Sequence, residues 1–173
     1  MPSTYTLINS NVLTSSAASI TFSAIPATYT DLVLRISSRS DLADGAVNVY
    51  TTFNSINSGY SSTFIRGDGS SASSGRESAR TRWEQLNWTI GTNFGSNIFA
   101  SFEIYIPSYL SSANKPIGVF GVLEDNTATV SRGVQATAGL LSNTATVSSI
   151  TMQPYSGNFV SGSSFYLYGI SNA

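Results

Sequence analysis

Residues 31–37 read Asp-Leu-Val-Leu-Arg-Ile-Ser, with Leu32, Leu34 and Ile36 at every second position. A period of two places those three side chains on one face of an extended strand, whereas a helix would scatter them around its axis. Working outward, the same alternation predicts strands at Thr4–Ile8 (Tyr5 and Leu7 inward), Ser19–Ser23 (Ile20, Phe22) and Val47–Phe53 (Val47, Val49, Phe53). Further strands are predicted at Phe99–Ile106 (Phe102, Ile104, Ile106), Ile117–Leu123, Val134–Leu140, Val147–Met152 and Ser164–Ile170, where Phe165 and Leu167 close the core. Pro26, Pro107, Pro116 and Pro154 fall at the ends of these segments, where a missing N–H breaks no ladder bond. The early strands follow one another too closely for crossover helices, so hairpins and Greek-key connections are favoured. The reading is an all-β chain, one domain over residues 1–173, folded as an antiparallel β-sandwich of jelly-roll-like type; an immunoglobulin-like sandwich is the alternative.

Residues 55–95 break the regular spacing. They hold a candidate strand at Ser62–Arg66, a flexible run Gly-Asp-Gly-Ser-Ser-Ala-Ser-Ser-Gly at 67–75, and a segment over 77–90 open to two readings. A short helix fits Glu77–Leu86, but Leu86, Trp88 and Ile90 alternate with Asn87 and Thr89 as in a strand, so a strand entered from a long loop is preferred.

The chain has no histidine and no cysteine, and only 10% of its 173 residues are charged. Without imidazole or thiolate, Ser-His-Asp and Cys-His nucleophiles, zinc knuckles, iron–sulfur ligation and disulfides are excluded. A net charge of −1 supplies no field to draw the protein to nucleic acid or an anionic membrane. No apolar run approaches the roughly 18 residues that span a bilayer, and residues 1–16 have no basic start with an apolar core of the secretory kind. With 41% hydrophobic and 12% aromatic residues, the sequence nevertheless has ample material for a packed core.

The polar motifs read mostly as turn chemistry. Arg66-Gly67-Asp68 spells the tripeptide read by integrin-type receptors, but Gly-Asp-Gly is ordinary in a turn. Arg66, Arg76, Arg80 and Arg82 gather half of the eight basic residues into seventeen positions. In an extended segment Arg76, Arg80 and Arg82 share one face, a row of guanidinium groups suited to carboxylates or phosphates on a partner or to guarding a sheet edge. Glu124-Asp125-Asn126 and the Asp41–Asp44 turn offer oxygen ligands for calcium without the EF-hand spacing, so no metal is assigned. The acid pairs Glu77 with Glu84 and Glu103 with Glu124 carry nothing that marks them as a glycosidase pair, and no catalytic residue or cofactor site is assigned. Gly67, Gly69 and Gly75 lack the lysine and helix start of a phosphate-cradling loop. Tyr60, Trp83, Trp88 and Tyr109 lie near polar loops, placed to stack on sugar rings or to pack across a subunit interface, although core packing is the default for each.

Residues 5–37, Tyr-Thr-Leu-Ile-Asn through Leu-Val-Leu-Arg-Ile-Ser, and residues 161–170, Ser-Gly-Ser-Ser-Phe-Tyr-Leu-Tyr-Gly-Ile, resemble small virion structural proteins of tailed bacteriophages, particularly those of cyanobacteria and other aquatic hosts. The resemblance implies a non-enzymatic protein on the outer surface of the virion. Two positions follow from it: a capsid cement or decoration protein bridging major capsid subunits, and a tail-fibre module that recognises host polysaccharide. The capsid is favoured because no shaft-like repeat precedes the first strand. The Arg row would then set register against the major capsid protein, the four aromatic residues would contact polysaccharide under the alternative, and a homotrimer is the expected assembly.

Overall fold

The structure, a computed structural model, describes residues 4–126 and 133–171. Twelve strands and no helix are found among the described residues. They are β1 (Tyr5–Val12), β2 (Ile20–Phe22), β3 (Asp31–Ser38), β4 (Ala46–Phe53), β5 (Tyr60–Gly67) and β6 (Ala72–Arg80), followed by β7 (Trp88–Ile90), β8 (Ala100–Ile106), β9 (Lys115–Val122), β10 (Val134–Leu141), β11 (Ile150–Pro154) and β12 (Ser164–Ile170). All pair antiparallel, in a large sheet of order β1-β12-β3-β8-β9-β10-β5-β6 and a small sheet of order β2-β11-β4-β7. From β2 onward the chain alternates between the two: β2 small, β3 large, β4 small, β5 and β6 large, β7 small, β8 to β10 large, β11 small, β12 large. This is the all-β antiparallel sandwich that the period-two patterning predicts.

The core lies where the alternating residues meet. Leu32, Leu34 and Ile36 stand directly opposite Ile106, Ile104 and Phe102, and Leu167 and Phe165 flank Leu34 and Ile36 on the other side. These side chains share one cluster with Ile20, Phe22, Val49, Phe53, Ile150 and Met152 of the small sheet. Each such burial removes apolar surface worth about 1.5–3 kcal/mol. A second, smaller cluster joins Ala46, Trp88, Ile90, Phe94, Ala100 and Leu123. Arg39 ties down the loop beside it by donating to the carbonyls of Phe94, Gly95 and Ile98.

Four details differ from the sequence reading. Tyr5 and Leu7 face outward: β1 is an edge strand whose register shifts between Leu7 and Asn9, and the partly buried residue there is Ile8. The predicted flexible run at 67–75 contracts to a turn, because Asp68 accepts the N–H groups of Ser70 and Ser71 and the chain returns as β6 from Ala72. Over 77–90 the helix does not form; the preferred strand entered from a loop does, as β7 at Trp88–Ile90, while residues up to Arg80 belong to a separate strand. β6 ends at Arg80, and β7 joins the small sheet beside β4. The predicted strand at Val147–Met152 begins instead at Ile150, with Val147 buried in the preceding loop and its N–H bonded to the Tyr109 carbonyl.

The segment between β6 and β7 lies against the inner face of β9 and β10, and two glycines make room for it. A Cβ on Gly139 would stand 2.6 Å from Ile117 and 3.0 Å from the Trp83 indole nitrogen; one on Gly121 would stand 1.9 Å from the Asn87 amide. Gln135, wholly buried on β10, donates to the Gln85 carbonyl at 2.8 Å and the Leu86 carbonyl at 3.1 Å, and Thr137 also donates to Leu86. An irregular segment is thus held by a polar side chain that satisfies its buried carbonyls.

Three outcomes follow for urea denaturation. Leu34→Ala or Ile104→Ala should cost about 2–5 kcal/mol through lost burial and the cavity left behind, whereas Arg80→Ala on the half-exposed edge should change stability by less than about 1 kcal/mol. Gln135→Leu, which leaves the Gln85 carbonyl without its donor and the Leu86 carbonyl with Thr137 alone, should cost about 1–3 kcal/mol.

Candidate functional site

The strands of the large sheet have a second face, turned away from the core, and its composition changes across the sheet. Cross-strand register places its outward residues in rows. The middle row runs Ser10, Tyr166, Arg35 and Glu103 on β1, β12, β3 and β8, then Phe120, Ala136, Ile65 and Ser74 on β9, β10, β5 and β6. On one side of it lie Leu7, Tyr168, Val33, Tyr105, Gly118, Ala138, Thr63 and Arg76; on the other, Val12, Ser164, Ser37, Ser101, Val122, Val134, Gly67 and Ala72. The half built on β9, β10 and β5 is almost entirely apolar, yet Phe120 is 56% and Ile65 63% exposed, and Val122 and Val134 are also exposed.

Small residues give this face relief. Gly118, Ala136 and Ala138 form the floor of a shallow depression of about 550 Å³ walled by Phe120, Ile65 and Tyr105, and a neighbouring one of about 570 Å³ continues over Val134, Gly67 and Ala72. Tyr105 is held upright by donating its hydroxyl to Asp31 at 2.8 Å, and that bond to a carboxylate pushes the phenol pKa upward. At the other half, Arg35 pairs with Glu103 at 3.0 Å while its guanidinium lies 5.7 Å and 5.9 Å from the ring centres of Tyr5 and Tyr168. Both partners are about half exposed, so the pair contributes no more than about 1 kcal/mol to folding. Contiguous exposed apolar surface bordered by polar groups is the signature of an interaction surface.

The predicted Arg row does not hold together. Ala79 adopts φ 53°, and the register between β5 and β6 shifts between Tyr60 and Ser62, so Arg76 stands beside outward Thr63 while Arg80 stands beside inward Tyr60. Arg80 pairs with Glu77 at 3.0 Å and Glu84 at 3.9 Å, and Arg82 pairs with Glu84 at 3.2 Å and lies 3.9 Å over the Tyr50 ring. Arg66 donates to Ser73 at 2.9 Å and lies over Phe64 and Trp88. The strand bulge has split a sequence cluster into separate local pairings; Arg76 borders the apolar face beside Thr63, and Arg66 lines its second depression.

The four candidate sugar-stacking residues are corrected outright. Tyr60 and Tyr109 have no exposed surface, and Trp83 and Trp88 retain 1% and 3%. Trp83 packs edge-on against Phe53 and Tyr60 with ring centres 4.9 Å and 4.7 Å away and donates to the Ser61 carbonyl; the Tyr60 hydroxyl donates to Ile56, and that of Tyr109 to Pro26. The polar tips of Trp83, Tyr60 and Tyr109 are satisfied indoors, which lets such large rings be buried beside polar loops.

The remaining motifs resolve into turns and pairs. The backbone N–H groups of Ser70 and Ser71, and then their hydroxyls, donate to Asp68 and hold its carboxyl far below the usual range, so the Arg-Gly-Asp sequence is tied into the β5–β6 turn. Glu124 accepts the N–H groups of Asp125 and Asn126, Asp41 accepts two bonds from Asn158, and Asp44 caps Gly45. No three acidic side chains gather into a cation-binding group among the described residues. Of the acid pairs, Glu77 and Glu84 bracket Arg80, with burial pushing the Glu77 carboxyl upward, and Glu103 belongs to Arg35.

The sequence did contain a signal for the outer face. Residues 115–122, Lys-Pro-Ile-Gly-Val-Phe-Gly-Val, are apolar at both parities apart from the lysine, which is the pattern of a strand covered on both sides. The buried parity is Lys115, Ile117, Val119 and Gly121, so Phe120 and Val122 are the members left without cover. Compared with known proteins, the chain matches no family model, and no curated protein matches it.

Burial of both indoles is directly measurable. Iodide should scarcely quench the tryptophan fluorescence of the folded protein and should quench it strongly in urea; strong quenching without denaturant would show that the rings reach solvent.

Proposed function

We propose that this protein is a non-enzymatic structural subunit of a bacteriophage particle, a capsid decoration protein, that assembles by burying the outer face of its large sheet. The observation that carries the reading is that face: a broad, rigid, exposed apolar surface on strands whose opposite side is the core. Hydrophobic burial over a flat sheet supplies affinity without catalysis, and the Arg35–Glu103 pair and Arg76 at its border supply orientation.

The strand order supports the architectural part of the proposal. In a jelly roll of eight strands, the wrapped connections give one sheet the order 1-8-3-6 and the other 2-7-4-5. Numbering β2 to β11 in chain order and counting the β8–β9–β10 meander as the seventh strand, the small sheet β2-β11-β4-β7 follows the first order, and β3, the meander, β5 and β6 follow the second. On this reading the chain is a jelly roll widened by two strands of meander and by β12 and β1 at its edge. The sequence resemblance at residues 5–37 and 161–170 supports placement on a phage particle, and those residues build β1, β2, β3 and β12. The polysaccharide-binding alternative loses the four rings on which it depended.

Quantifying the protein in purified particles tests the placement. A copy number comparable with that of the shell subunit is expected, and one matching only the tail or a single vertex would overturn the capsid assignment. Phe120→Asp, at an exposed position, should leave the melting temperature nearly unchanged and remove the protein from particles; normal incorporation would overturn the role of the face.

A further inference from the structure

We infer that the outer face of the large sheet is closed by a second copy of this chain, packed face to face about a two-fold axis that runs parallel to the strands between β3 and β8; the inference rests on reading this face as an assembly interface. Such an axis keeps each cross-strand row opposite the same row of the other copy and reverses the strand order, so β3 lies over β8, β12 over β9, and β1 over β10.

The charges select this axis. Arg35 and Glu103 are adjacent in one row, on β3 and β8, and both are about half exposed. Rotation about a line between them sets Arg35 against Glu103 of the partner subunit, and Glu103 against the partner subunit's Arg35. The other two-fold that stacks the sheets, perpendicular to the strands through the same row, sets Arg35 on Arg35 and Glu103 on Glu103, and like charges pressed together in an apolar interface are strongly unfavourable.

Side-chain size agrees with the charges. In the chosen arrangement Tyr168 lies over Gly118 of the partner subunit and Leu7 over the partner subunit's Ala138, each large side chain above a small one. Tyr166 meets Phe120 of the partner subunit, and Val12 meets the partner subunit's Val134. Leu7, Val12, Phe120 and Val134 are otherwise among the exposed large hydrophobic residues.

The area is adequate. Six strands at about 4.8 Å spacing and three rows about 6.8 Å apart cover about 600 Å² on each copy, which brings the total to about 1,200 Å², the lower bound of a stable interface. β5 and β6 extend past the overlap, leaving Ile65 and Arg76 for contact with the shell. The unit is therefore a dimer, in place of the trimer that the resemblance implies.

Sedimentation velocity of the purified chain at micromolar concentration is the test. The wild type should be a dimer, Phe120→Asp should weaken association at least about tenfold, and Arg35→Glu or Glu103→Arg alone should weaken it measurably. The double variant R35E/E103R should restore the dimer, because the reversed charges again face their opposites. Circular dichroism melting checks that each variant folds, and Leu7→Asp on the edge strand replaces Phe120→Asp if that variant does not. A wild-type monomer, a trimer, or a dimer indifferent to both the face substitution and the charge reversals would overturn the inference. The assembly role of the face is judged separately: a monomeric chain whose Phe120→Asp variant still drops off particles sinks the dimer and retains the interface, now with the shell as its partner.

Discussion

The register of β3 is the constraint on which the rest of the molecule depends. Leu34 lies between Leu167 on β12 and Ile104 on β8, with no exposed surface on any of the three. Side chains alternate along a strand, so a slip of one residue would turn Leu32, Leu34 and Ile36 out to water, and the loss of that burial fixes the pairing. The same register decides the opposite face, because the pairing that sets Leu34 beside Ile104 also sets Arg35 beside Glu103 and Tyr168 beside Val33. Core and interaction surface are two sides of one hydrogen-bonded ladder, and the energy of the core holds the geometry of the surface.

A second constraint operates where the pattern fails. The stretch between β6 and β7 has no regular ladder of its own, yet it carries Trp83 and Leu86 into the main core and leads to Trp88 in the smaller cluster. Its carbonyls at Gln85 and Leu86 are buried and need donors, which Gln135 and Thr137 provide. Lys115 does comparable work nearby, its buried ammonium donating to the carbonyls of Ser111 and Ala113 while burial lowers its pKa. Polar residues at inward positions of β9 and β10 therefore close loops over the ends of the sandwich. An apolar side chain at position 135 would take the donor from the Gln85 carbonyl, and one at position 115 the donor from the Ser111 and Ala113 carbonyls.

The functional reading follows from the contrast between the two faces of the large sheet. A sheet with one solvated face ordinarily alternates apolar and polar residues, and β3 does so from Leu34 to Ser37 and β8 from Ser101 to Ile104, around Arg35 and Glu103. β9 and β10 do not: Phe120, Val122, Val134 and Ala136 continue the apolar character onto the outer side. Such surface is costly to leave in water and useful once covered, which fits a particle subunit that gains its stability in the assembly.

The sequence by itself determined the elements and the core. Period-two spacing located nearly every strand and the inward residues of β3, β4, β8 and β12, because alternation is a local property that burial on one side enforces. It also contained the two-sided apolar run of β9, without saying which parity would be left uncovered. Tertiary structure alone decided the rest. The bulge at Ala79 scattered arginines that are close in sequence, the N–H groups and hydroxyls of Ser70 and Ser71 folded an Arg-Gly-Asp motif into a turn, and four aromatic rings near polar loops went inside, three of them with carbonyls to accept from their polar tips. Each of these outcomes depends on which strand lies next to which. That is settled by cross-strand register and long-range burial, and a linear pattern of residues does not contain it.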